Sequence, residues 1–172
     1  LQVLEKSSKT LLLKILGMIS GLVVSIFLGR TLGTEGLGVV NFSNKLGIIL
    51  IVFTMFGFQN VIIKFIAIAK GKDDNLKIAS ILKTSLWFNG LLAIVIASLG
   101  AIILPFILEL SPGNDHLEIP LLIVLVMLIP QTFSRVYGSA LNGYGKIWQA
   151  NLVNQTLSII LVAIGLLVMW GL

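Results

Sequence analysis

Asn41, Asn44 and Lys45 stand at i, i+3 and i+4, the spacing of one face of an α-helix. Asn151, Asn154, Gln155 and Ser158 extend the same spacing to i+7, Gln131 and Arg135 lie one turn apart, and Asn89 stands in an apolar run. Amides and cations of this kind hydrogen-bond hydroxyl groups and hold anions. They do not by themselves break bonds. The sequence shows no pair of carboxylates aimed at one cavity, no Ser/His/Asp set and no phosphate loop, so an enzyme is not expected. His116, the one histidine, falls in the polar stretch 111–118 and reads as a solvated loop residue. A lone histidine cannot build a metal site, and the lack of cysteine excludes disulfides and thiolate ligands. Neither a metal nor a cofactor is expected.

The elements that carry these residues are apolar. Of the 172 residues, 57% are hydrophobic and 11% charged, against about 25% charged in ordinary globular chains. That leaves too little polar surface for water, and a lipid-facing surface is the simplest alternative. A spanning helix needs about 20 mostly apolar residues. Five stretches qualify, over about 11–29, 41–63, 80–108, 119–137 and 147–171. The expected fold is all-α: a polytopic transmembrane bundle, with Lys14 and Arg30 snorkelling at the ends of the short first span. Lys6, Lys9 and Lys14 before an apolar run also resemble a signal peptide, but no small-x-small cleavage site follows and four more spans do. The chain begins at Leu1 and ends at Leu172 inside an apolar run, from which a piece of a longer protein is expected.

The connections set the expected topology. With the N-terminus in the cytoplasm, Lys6, Lys9, Lys14, Lys64, Lys70, Lys72, Lys77, Lys83, Arg135 and Lys146 fall inside, and Arg30 and Lys45 outside. Ten basic residues against two satisfies the positive-inside rule. Residues 70–75 and 111–114 read as polar turns, Pro120 as a first-turn proline, and Pro130 as a kink within the fourth span. The net charge of +5 does not indicate nucleic acid, because the lysines lie between apolar runs and form no stripe.

Polar groups in hydrocarbon cost free energy unless they find partners or water. Two readings of the stripes stand: amides joining neighbouring helices, or the wall of a hydrated cavity that takes a polar substrate. The candidate substrate-binding residues are Lys45, Asn41, Asn44, Arg135, Gln131, Asn151, Asn154 and Gln155. All seven acids, Glu5, Glu35, Asp73, Asp74, Glu109, Asp115 and Glu118, fall at span ends or in loops. Pumps for cationic drugs usually need a carboxylate embedded in the membrane. A path lined by amides and a few cations suits an anionic, hydroxyl-rich substrate instead.

The segment Leu32-Gly33-Thr34-Glu35-Gly36-Leu37-Gly38 does not match the dinucleotide-binding glycine pattern and reads as a tight turn into the second span. Together with Phe27-Leu28-Gly29-Arg30 before it, it resembles the junction of the first two helices in the Wzx-type polysaccharide-biosynthesis flippases. Gly57-Phe58-Gln59-Asn60 followed by Lys64, and Gly138-Ser139-Ala140-Leu141-Asn142-Gly143-Tyr144-Gly145-Lys146, resemble two further positions of that family. The superfamily also contains multidrug exporters and peptidoglycan-precursor flippases. The resemblance implies two pseudo-symmetric helical bundles that open alternately to either side of the membrane. This chain would be most of the first bundle, with the second bundle of the same polypeptide as its missing partner and no transport by the piece alone. It further implies a cytoplasmic membrane location, the lipid bilayer and a lipid-linked glycan as partners, and translocation of a lipid-linked oligosaccharide. The alternatives are a multidrug or metabolite antiporter of the same superfamily, which would need an embedded acid, and a membrane-embedded enzyme or structural subunit.

Overall fold

The computed structural model describes residues 2–109 and 117–153, and these are helical apart from short turns. Five helices follow in order: α1 (Gln2–Met55), α2 (Phe58–Lys70), α3 (Asn75–Glu109), α4 (Glu118–Gly143) and the short α5 (Ile147–Asn151). Among the described residues, Lys14–Met55, Asn75–Phe106 and Glu118–Gly143 are long and apolar enough to cross a membrane. Large apolar side chains such as Leu22, Ile49, Val52, Leu99, Phe106 and Val126 cover their outer surfaces. A water-facing protein does not carry apolar surface on this scale. The protein is therefore an all-α, multi-pass membrane helix bundle.

Two of the breaks are made at glycines. Gly33, at φ 68° and ψ −172°, is the one non-helical residue inside α1. That conformation costs an L-residue with a Cβ about 1–2 kcal/mol or more. The chain folds back tightly around it: a Cβ built on Gly36 would lie 2.7 Å from the Cβ of Leu32. In an unbroken helix those two positions stand about 5–6 Å apart. The turn expected before the second span is thus made at one residue, and Gly36 makes room for it. Within the stretch 41–63 the helix is interrupted again, where Phe56 (φ 36°) and Gly57 (φ 78°) separate α1 from α2. Asp74 starts α3, its Oδ1 accepting the Lys77 N–H at 2.9 Å, as a helix-capping carboxylate does. α4 stays helical through Pro130, although this proline has no N–H to donate to the preceding turn. Pro105 lies inside α3 in the same way, a position the sequence reading did not single out.

α4 is the central element and touches all four other helices. Its buried stripe, Leu121, Leu125, Leu128, Thr132, Val136, Ser139 and Gly143, steps by three or four residues, the period of one helix face. Glycines set the closest approaches. A Cβ on Gly47 of α1 would stand 3.1 Å from Val124, one on Gly90 of α3 2.9 Å from Phe133, and one on Gly100 2.6 Å from Leu125. Gly143 faces α2, where a Cβ would be 2.9 Å from the Ile63 carbonyl oxygen and 2.9 Å from the Ile66 Cβ. These pairs give the directions: the second arm of α1 runs parallel to α4, and α3 runs antiparallel to it. Such small-residue contacts are how helices pack where lipid removes the hydrophobic drive between them. A cluster of Met55, Ile62, Ile66 and Val136, flanked by Ile78, Ile81 and Leu86, closes the end of the bundle. Phe58 stacks on Phe88 beside it, ring centroids 4.8 Å apart.

Candidate functional site: polar residues of the bundle

The second arm of α1 turns Ser43, Gly47, Ile51 and Thr54 inward and leaves Asn41, Asn44 and Lys45 exposed. On α4 the stripe that packs inward flanks Arg135, which is half-buried, while Gln131 is exposed. Asn151 of α5 is half-buried. Asn154, Gln155 and Ser158 lie outside the described residues, as do His116 and the turn at 111–114.

The candidate residues fall at two levels. Gly47 meets Val124 and Thr54 meets Thr132, so Lys45 sits beside the first third of α4. Gln131 and Arg135 lie about 13 Å and 20 Å farther along that helix at ~1.5 Å per residue. The turn at Tyr144–Lys146 then sends the chain back along α4, and the Ser134 hydroxyl donates to the Val153 carbonyl at 3.3 Å. Arg135 and Asn151 therefore share one level at the α4–α5 junction. The amide–lysine face of α1 belongs to another.

Inside the bundle a second polar set appears, most of which the sequence reading passed over. Ser43, Thr54, Ser85, Asn89, Thr132 and Ser139 are all buried. Thr54 donates to the Ile51 carbonyl at 2.9 Å, and the single Thr132 hydroxyl proton is shared between the Leu128 carbonyl at 2.7 Å and the Thr54 oxygen. The two hydroxyl oxygens are 3.3 Å apart and link α1 to α4. Asn89 was singled out from sequence and is fully buried, its Nδ2 donating to the Ser85 carbonyl at 2.8 Å. Its Oδ1 and the Ser43 Oγ have no hydrogen-bond partner among the described residues. The bonded members of this set are interhelical or within-helix contacts. The exposed set of Asn41, Asn44, Lys45 and Gln131 is oriented differently and can meet a solute or a further helix. Hydroxyls within apolar runs of Ile, Leu and Val leave no period in the sequence, which is why only the amide was noticed.

A latch holds the α2 end to the α4–α5 turn. Lys70 Nζ donates to the Tyr144 carbonyl at 2.6 Å. The same ammonium lies 5.1 Å from the Tyr144 ring centroid, and Lys146 Nζ lies 6.0 Å from it. The carbonyl at a helix C-terminus carries partial negative charge that favours a cation, and the ring adds a cation–π contact. Among the described residues no group of three or more His, Cys, Asp or Glu side chains is placed to hold a metal ion.

In comparison with known proteins, the family described as polysaccharide biosynthesis protein matches residues 3–172. No curated protein and no solved structure matches the chain.

Proposed function

The chain belongs to the polysaccharide biosynthesis protein family, and from that premise we propose that it is part of a flippase that carries a lipid-linked oligosaccharide across the cytoplasmic membrane. The observation that carries this reading is the family match over a chain built of apolar, membrane-length helices. A membrane bundle in polysaccharide assembly has a transport problem to solve: a glycan built on one side of the membrane is used on the other. The glycan passes through a hydrated path while its lipid tail stays in the bilayer. No bond is made or broken, so the protein is a transporter and not an enzyme. The N-terminus is cytoplasmic, by the ten-to-two distribution of basic residues.

The cations and amides singled out from the sequence are the residues suited to this cargo. Lys45 and Arg135 attract the phosphates of the carrier lipid, and Asn41, Asn44, Gln131, Asn151, Asn154 and Gln155 exchange hydrogen bonds with sugar hydroxyls. The two levels occupied by Lys45 and Arg135 are consecutive stations along the path. The second bundle of the same polypeptide supplies the opposite wall. The test uses the full-length protein in proteoliposomes loaded with a lipid-linked oligosaccharide. Its glycan should become accessible to an added glycosidase faster than in protein-free vesicles. Equal rates with and without protein would overturn the reading.

A further inference from the structure

Between α3 and α4 lies an open groove of about 530 Å³, lined by Lys83, Leu86, Trp87, Gly90, Leu91, Ile94, Phe133 and Tyr137. That volume is within the range of sites that hold small molecules. The groove has a polar end and an apolar end. Lys83, its sole charged group, lies eight residues into α3, or about 12 Å from the helix start. Because Gly90 faces Phe133 across antiparallel helices, Tyr137 lies at the Lys83 end of the groove, near Trp87. Trp87 is 72% exposed and Tyr137 47%. Trp and Tyr beside a lysine mark the level of the membrane–water interface. From there the groove descends along Leu91 and Ile94, and the Phe133 ring, packed against Gly90, forms its floor.

We infer that this groove binds one anionic phospholipid of the surrounding leaflet, with the head-group phosphate on Lys83 and one acyl chain along Leu91 and Ile94. Charge selects this occupant. Among the described residues no carboxylate lines the groove, so an apolar helix laid over it would leave the Lys83 ammonium without a counter-charge. An uncompensated charge in that setting is strongly unfavourable. A phospholipid brings its own phosphate to the one cation and its own chain to the apolar floor. The inference rests on the membrane bundle and not on the proposed cargo.

Native mass spectrometry of the full-length protein tests it, with phosphatidylglycerol and phosphatidylethanolamine of the same acyl composition added in equal amounts. The native protein should retain one phosphatidylglycerol in preference to phosphatidylethanolamine. Lys83→Gln should lower that preference about fivefold, Lys83→Arg should preserve it, and Lys77→Gln should leave it nearly unchanged. Leu91→Trp, which fills the apolar end from an exposed position, should lower retention of both lipids. An unaltered preference in Lys83→Gln would overturn the inference. So would an equal loss in Lys77→Gln, which marks diffuse attraction, or unchanged retention in Leu91→Trp, which places the lipid elsewhere. Melting temperatures measured alongside separate a lost site from a lost fold, and retention of a polyprenyl phosphate instead of phosphatidylglycerol would assign the groove to the cargo and overturn it too.

Discussion

Single residues decide where this chain turns. Gly33, Gly57 and Gly145 are the glycines with positive φ among the described residues, at 68°, 78° and 76°. Each belongs to one of the three glycine segments that carried the family resemblance, so those segments are backbone requirements before they are anything else. Gly33→Val should cost about 1–2 kcal/mol or more, because the left-handed region is closed to a β-branched residue, and Gly36→Ala should add a steric conflict with Leu32. Gly21→Ala is the matching control, since a Cβ there meets nothing within 4 Å. Thermal melts of the purified full-length variants would check the order: Gly21→Ala near native, the other two lower. The functional residues make a separate prediction. Lys45→Ala and Arg135→Ala should reduce glycan export in cells while leaving protein abundance near native. Normal export in both variants would remove them from the path.

Among elements, helix contacts are set by glycine and hydroxyl positions. Gly143→Leu places a branched side chain against the Ile63 carbonyl and Ile66, both at 2.9 Å from the Cβ position, and should separate α4 from α2. The expected readout is a large loss of melting temperature together with loss of the Lys70–Tyr144 latch. Thr132→Val keeps the volume and removes the 3.3 Å link to Thr54. About 0.6 kcal/mol is the average for such bonds in membranes, so a small shift is expected, and a large one would show the seam to be more than packing. That the chain is a bundle of apolar helices was legible from the apolar runs and the charges between them, because the length of such runs follows from the bilayer; most of the fifth run, 147–171, lies outside the described residues. The break at Phe56–Gly57 was not, because no charge or proline marks it. Gly57 is one glycine among seventeen, and only the backbone shows which ones turn. Asn89 was legible as an isolated amide in an apolar run, whereas Ser43, Thr54 and Thr132 were not, because a lone hydroxyl can bond a carbonyl of its own helix and so marks no contact in the sequence.

At the scale of the molecule, a central α4 gathers α1, α2, α3 and α5, and many large apolar side chains of the described residues face outward. The directions of α1, α3 and α4 alternate as consecutive membrane crossings require. Sidedness can be read directly, because the chain contains no cysteine and a single introduced thiol reports alone if the rest of the polypeptide is also cysteine-free. Asp73→Cys, in the turn between α2 and α3, should react with a membrane-impermeant maleimide only after the cytoplasmic face is opened. Thr34→Cys, next to the Gly33 bend, should react in intact cells. The reverse pattern would invert the proposed orientation. The spacing of Asn41, Asn44 and Lys45 was legible, but the separation of Lys45 and Arg135 into two levels was not, since that depends on how α1 lies against α4. The flippase proposal stands or falls on the fate of the cargo. The most direct measurement is mass spectrometry of lipid extracts from cells lacking the full-length gene. Accumulated polyprenyl-linked oligosaccharide together with lost surface glycan is the predicted result, and normal lipid-linked intermediates with intact surface glycan would contradict it.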